Sequence, residues 1–416
     1  MIKILLTEDE HEKKRLIVSE LLKIKDLGYD SIDYASDVRE AKRLLSRKKY
    51  DLVILDINLP ARAGESAEKS GGLQLLLFLK VHHKAIQPSY IVGLTAYDEA
   101  ASAAEEAFAS PLRKLIRFSM TDMAWSHQLS SAVEHLIHIN KPPYPCDGST
   151  YHTDIAIFVA LDGEELSSIL ALDAGWQRVE VMHDLTTYYS GAFSRGDKRL
   201  SVVLAAAPRM GMPPAAVIST KMINAFRPQY IAIAGICAGV RDKVKMGDVL
   251  VADPCFDWGS GKWVKSESGP AEFRPSLYQW RLDPQLAAAF KDFSQNAGVL
   301  QAIYDTWDQK KPEQIPRIYV DAMASGASVL QSQEHVAGIR SLHKNLIGIE
   351  MESYSVFTAA EYSSSPKPKC FSIKAVCDFG DDQKDDDFHD YAAFMSARVL
   401  FDFCLEKIDP INEELD

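Results

Sequence analysis

Acids that close short apolar runs are the residues of this chain best placed to do chemistry. Residues 347–354 read as a buried strand that ends in Glu350 and Glu352 and passes into a helix. The two acids are two apart, so an extended backbone points them the same way. Residues 371–377 repeat the pattern and deliver Asp378. Acids at the carboxyl ends of neighbouring strands lie where open α/β sheets bind small ligands. The alternative is that they cap the helices that follow. A second set lies near the N-terminus: Glu8 and Asp9 follow one apolar run, Asp56 follows another, and Thr95 follows a third. Together Glu8, Asp9 and Asp56 make an oxygen-rich pocket suited to Mg²⁺. The ion would neutralise a phosphoryl group moving onto a carboxylate nucleophile, with Thr95 hydrogen-bonding a phosphoryl oxygen.

The elements that must position these groups alternate in period. Apolar runs at residues 2–7, 51–55 and 90–94 are separated by helical spacing, such as Leu16, Ile17, Leu21 and Leu22. That alternation implies a doubly wound parallel sheet over residues 1–140. Residues 141–152, rich in proline and turn formers, read as a semi-stiff linker. Residues 153–416 alternate again, with strands at 154–161, 200–206, 230–234 and 247–253. Gly259-Ser260-Gly261-Lys262 lacks the length and hydroxyl of a phosphate loop and reads as a turn.

With 416 residues, two domains are expected. A net charge of -12 argues against general nucleic-acid binding. Six cysteines without a CxxC pair suggest reduced thiols in a cytoplasmic protein. The start of the chain does not read as a signal peptide, and no apolar run approaches the ~20 residues that span a membrane.

The first domain resembles the receiver domain of two-component response regulators, a CheY-like (flavodoxin-like) fold, on residues 4–10, 55–60 and 93–96. The resemblance implies phosphorylation of Asp56 by a cognate sensor histidine kinase. It implies Mg²⁺ held by Glu8, Asp9 and Asp56, with Thr95 as the switch hydroxyl. Two departures stand out: residues 61–71 look inserted, and Arg117 stands where receivers usually carry a lysine.

The second domain resembles the nucleoside phosphorylase and nucleosidase superfamily, an α/β/α sandwich. The matching series is residues 235–239, then 247–249, Glu350-Met351-Glu352 and Cys377-Asp378. The resemblance implies cleavage of an N-glycosidic bond. Glu352 would grip the ribose hydroxyls with Met351 beneath the sugar, and Asp378 would protonate the base. Glu164, with Glu165 as the neighbouring alternative, would activate water. Ala238, Gly239, Val329 and Leu330 would lie near the base, and Gly211 and Arg209 near the substrate. Arg209, Lys262, Lys265, Arg274 and Arg281 could serve phosphates or simply be solvated; the acidic run 381–387 reads as solvated, with a Mg²⁺-nucleotide role as the alternative. The cleavage step needs no cofactor; a buried Asp has the raised pKa a general acid requires.

No helix-turn-helix pattern follows the linker. The pairing of domains is similar to the effector response regulators of Detocs-type antiphage two-component systems. That similarity implies an ATP nucleosidase that exhausts the infected cell, and both domain families imply a homo-oligomer. The rival expectations are a methylthioadenosine/S-adenosylhomocysteine-type nucleosidase, a purine nucleoside phosphorylase, and a catalytically silent nucleotide-binding module.

Overall fold

The computed structural model describes residues 2–25, 27–66, 71–82, 85–95, 105, 107–109, 112–139, 141–265, 271–381 and 387–411. The chain divides into two compact units, one built on Met1–Lys141 and the other on Pro142–Glu413.

In the first unit the elements run β1 (Ile4–Thr7), α1 (His11–Leu21), β2 (Ile32–Ala35), α2 (Val38–Leu45), β3 (Leu52–Asp56), α3 (Gly71–Val81), β4 (Tyr90–Thr95), β5 (Arg113–Arg117) and α4 (Ala124–Ile139). The strands form one parallel sheet in the order β2-β1-β3-β4-β5. Their near-continuous apolar sequences follow from burial on both faces, one core under α1 and α4 and another under α2 and α3. The order of connection reverses between β1 and β3. A crevice opens there beyond the strand ends, and Glu8 and Asp56 lie at it. The inserted stretch 61–71 falls between β3 and α3; residues 67–70 of it lie outside the described residues.

The second unit runs β6 (Thr153–Val159), α5 (Glu164–Leu170), β7 (Gln177–Val179), β8 (Tyr188–Arg195), β9 (Lys198–Ala206), α6 (Met212–Phe226), β10 (Pro228–Gly239) and β11 (Val249–Asp257). It continues through β12 (Gly261–Val264), β13 (Glu272–Pro275), β14 (Gln279–Trp280), α7 (Pro284–Phe293), α8 (Ala297–Asp305) and β15 (Ile318–Ser325). The last elements are α9 (Gln333–Leu342), β16 (Gly348–Glu350), α10 (Ser353–Glu361), β17 (Lys369–Asp378) and α11 (His389–Lys407). Ten strands make a mixed sheet, with β10 paired to β6, β16 and β17. The core on one face includes residues of α5, α7, α8 and α11; the other face packs under α6 and α10. This is an α/β/α sandwich. Helix α11 is buried along most of its length because it packs across β10 and β17.

Two expectations change on contact with the structure. Residues 142–152 are part of the second unit rather than a linker between domains. The Tyr144 N–H donates to the Ala225 carbonyl at 2.9 Å and the His152 N–H to the Arg227 carbonyl at 2.8 Å, which anchors the proline-rich stretch, and the Tyr144 and His152 rings stack within it at 4.5 Å. The Gly259–Lys262 stretch leads into the hairpin β12–β13, where Gly261 pairs with Pro275 and Lys262 with Arg274. Among the described residues, no helix is long and apolar enough to cross a membrane.

Candidate active site

The ends of β6, β10, β16 and β17 surround one cavity with about 700 Å³ of empty space out to its open mouth. Its lining includes Glu165, Ala238, Glu350, Met351, Glu352, Asp378 and His389. Among the described residues, no arginine or lysine lines it.

Beneath the cavity lies a buried cation. Lys374 is 1% exposed, and its Nζ is 3.3 Å from Glu352, 3.9 Å from Glu165 and 4.0 Å from Glu350. Burial opposes its charge, but the three carboxylates outweigh burial and hold its pKa above the ordinary value. One ammonium cannot offset three buried acids. Burial pushes Glu352 up to about 7 against the pull of Lys374, and the charges of Glu350 and Glu165 add to the rise.

Each acid has a distinct second tie. Glu165 accepts the backbone N–H groups of Ala160 at 2.8 Å, Leu161 at 2.9 Å and Ile236 at 2.9 Å. Glu350 accepts the N–H groups of Glu352 at 2.9 Å and Ser353 at 2.8 Å, and the Ser325 hydroxyl. It therefore caps α10. Glu352 accepts the Gly211 N–H at 2.8 Å, which binds it to the start of α6. Asp378 follows an irregularity: Cys237 pairs with Val376, and Ala238 pairs with Asp378. The extra residue, Cys377, makes a bulge, a device that re-aims the next side chain at a site. Asp378 is 5% exposed and accepts the Gly380 N–H at 2.6 Å.

Gly235 makes the arrangement possible. It lies opposite Lys374 in the parallel ladder, and residues opposite each other share a face. A Cβ at this position would lie 2.0 Å from the Glu165 carboxylate. Only the missing side chain leaves room for the acid beside the lysine.

Among the expected residues, Glu352, Met351, Asp378, Ala238, Val329 and Leu330 line the cavity together. Glu164 does not; it lies 3.6 Å from His389 Nδ1, and Glu165 takes the place inside. Consecutive helical residues project about 100° apart, so the first turn of α5 presents only one of the two inward. Gly211 acts behind Glu352. Gly239 faces away, where a Cβ would meet Val244 and Val376 at 2.8 Å. Arg209 is exposed and outside the lining, as are Lys262, Lys265, Arg274 and Arg281. Residues 382–386 of the acidic run lie outside the described residues. Gly235, Lys374 and His389 went unassigned from sequence. Lys374 had a signal: it is the one charged residue in the buried run from Cys370 to Cys377.

In the first unit, ligand oxygens of Glu8, Asp9 and Asp56 lie within 4.8 Å of one another, and Asp9 is exposed. An all-oxygen carboxylate set fits a hard divalent ion. Thr95 ends β4, buried, beside Arg117 in the adjacent strand; the Arg117 side chain is exposed. The cation inside the pocket is Lys13 of α1, 2.7 Å from Glu8 and 2.8 Å from Asp56. Burial pushes Glu8 up to about 7; Lys13 opposes this and Asp56 reinforces it. Lys13 also carried a signal, as it shares the buried stripe of α1 with Ile17 and Leu21.

Residues 154–403 match the phosphorylase superfamily. The chain belongs to that superfamily. Residues 4–114 match the response regulator receiver domain family, so a receiver precedes this phosphorylase-superfamily unit. An uncharacterized protein of Sinorhizobium fredii, y4jS, is 27% identical over 96% of this chain and 97% of its own length. The ATP nucleosidase Cap17 of Escherichia coli is 26% identical over 52% of this chain, which spans only 44% of that relative. A crystal structure of the Helicobacter pylori 5'-methylthioadenosine/S-adenosyl homocysteine nucleosidase aligns with 62% of this chain and 100% of its own, at 21% identity and a TM-score of 0.48.

Two outcomes follow. Gly235→Ala should lower the melting temperature by about 5 °C, because the Glu165 carboxylate must move, at roughly 2 kcal/mol; calorimetry on the full chain reads it. The second concerns pH. The folded state holds the Glu352 proton up to about 7, against an ordinary value of 4.5. The folded form therefore binds more protons in that window, and stability falls as pH rises through it, by an amount on the order of a few kcal/mol. Glu352→Gln should flatten the decline in melting temperature between pH 5 and pH 8; a decline as steep as in the unaltered chain would remove Glu352 as its source.

Proposed function

We propose that this protein is a receiver-controlled N-glycosidase that hydrolyses adenine nucleotides, ATP foremost, to adenine and ribose 5′-phosphates. The observation that carries the reading is the acid-rich cavity in which Glu165, Glu352 and Asp378 converge. Glycosidic cleavage builds positive charge on the sugar and negative charge on the leaving base. Glu352, held by Lys374 and the Gly211 N–H, binds the ribose hydroxyls, with Met351 packed against the sugar. Asp378 delivers a proton to the departing base. Glu165, rather than Glu164, orients the attacking water. Ala238, Val329 and Leu330 bound the base, and the phosphates extend past Met210 toward the exposed Arg209 at the mouth.

Water is favoured over phosphate as nucleophile by charge. Among the described residues four carboxylates and no arginine or lysine line the cavity, so a phosphate dianion would meet repulsion there. The similarity to Cap17 supports ATP over methylthioadenosine as substrate. The same fusion of receiver and nucleosidase favours the role of an antiphage effector of the Detocs type. In the receiver, Asp56 accepts a phosphoryl group from a sensor kinase. Mg²⁺ held by Glu8, Asp9 and Asp56 would offset the charge of that group. Thr95 binds a phosphoryl oxygen, and the modified domain biases a packing or oligomer equilibrium that activates the nucleosidase.

Chromatography of free adenine in phosphate-free buffer tests the reading. ATP should yield adenine, faster with a small phosphodonor and Mg²⁺ than without, and the donor should have no effect in Asp56→Asn. Asp378→Asn and Glu165→Gln should each lose at least a hundredfold in turnover, and Glu164→Gln less than threefold. Adenine from methylthioadenosine alone would sink the nucleotide assignment. Dependence on added phosphate would make the enzyme a phosphorylase.

A further inference from the structure

The receiver pocket holds a charge of its own. Lys13 Nζ bridges Glu8 Oε2 at 2.7 Å and Asp56 Oδ2 at 2.8 Å, with its side chain only 5% exposed. The other oxygens of both acids are also engaged: Glu8 Oε1 accepts the Glu10 N–H at 3.0 Å, and Asp56 Oδ1 accepts the Asn58 N–H at 3.1 Å. The helix delivers this ammonium. Lys13, Ile17 and Leu21 share the buried stripe of α1, and Nζ lies 5.3 Å from the centre of the Phe118 ring. The cation within the pocket therefore comes from α1, whereas the Arg117 side chain at the end of β5 is exposed.

We propose that Lys13 is a tethered cation that occupies the divalent-ion position of this pocket, so that Mg²⁺ enters only by displacing its ammonium. Mg²⁺ binds carboxylate oxygens at about 2.0–2.1 Å in near-octahedral geometry and tolerates little deviation. An ion that bridges Glu8 and Asp56 would lie within about 5 Å of an ammonium bonded to the same oxygens. The two charges repel, and in a site shielded from water the repulsion is large. Metal-free, the ammonium already offsets part of the negative charge of the pocket and keeps Asp56 occupied. The displaced ammonium has a flexible four-carbon stem and can follow the negative charge that phosphorylation adds. The inference rests on the reading of Glu8, Asp9 and Asp56 as a divalent-ion pocket.

Isothermal titration of Mg²⁺ into the full-length protein tests it without reference to turnover. Lys13→Met should tighten Mg²⁺ binding at least tenfold. Lys14→Met removes the same charge one residue on, where Nζ lies 4.3 Å over the Tyr34 ring, and should change affinity less than threefold. Lys13→Gln keeps a hydrogen-bond donor without the charge, and should behave like Lys13→Met if the latter does not fold. Equal affinities in the unaltered and Lys13 variants would overturn the competition while leaving the metal pocket intact. The absence of Mg²⁺ binding in folded protein of both kinds would overturn the pocket and the proposal together.

Discussion

A single buried ammonium holds the candidate active site together. Lys374 reaches Glu165 from α5, Glu350 from β16 and Glu352 at the start of α10, while its own backbone lies in β17. Desolvating a charge costs several kcal/mol, and a buried pair is worthwhile only where further hydrogen bonds satisfy its members. That condition is met. The carboxylates together accept six backbone N–H groups, three at Glu165, two at Glu350 and one at Glu352. The cluster still carries more acid than base, and burial together with the neighbouring acids pushes Glu352 up to about 7. An acid poised this way can bind sugar hydroxyls as donor or acceptor.

The two units solve the same problem by the same means. In each, acids stand at the carboxyl ends of strands, and a lysine from a neighbouring element enters among them. The receiver lysine belongs to a helix and the nucleosidase lysine to a central strand, and this difference matters. Lys374 is fixed by ladder pairing on both sides, to Gly235 and Leu250, and acts as scaffold. Lys13 hangs from the surface of α1 on a flexible stem, free of any ladder, and suits an exchangeable role.

Much of this was legible in the sequence, because apolar runs ending in acids mark strands that terminate at a site. The doubly wound sheet, the sandwich, and the approach of Met351, Glu352 and Asp378 to one cavity follow from that pattern. What escaped has physical causes. Glu164 and Glu165 differ by one helical step, and sequence spacing alone does not say which projects inward. Gly235 carries no side chain to mark its role, which is to make room for Glu165. Residues 142–152 have a linker's composition, but the Tyr144 and His152 N–H groups donate to the Ala225 and Arg227 carbonyls and attach them to the second unit. Lys13 and Lys374 interrupt apolar patterns that otherwise read cleanly; a charge on a buried stripe is a reason to look for its partners.

The central claim is that Lys374 offsets three acids that could not otherwise share one interior. The most direct test is the melting temperature of Lys374→Met between pH 5 and pH 8. Without the ammonium, the acids must hold protons to remain buried, so stability should fall more steeply with rising pH than in the unaltered chain. The loss at pH 8 should be about 10 °C, from roughly 3–5 kcal/mol for a buried charge cluster stripped of its partner. A Lys374→Met curve that overlays that of the unaltered protein across this range would contradict the account.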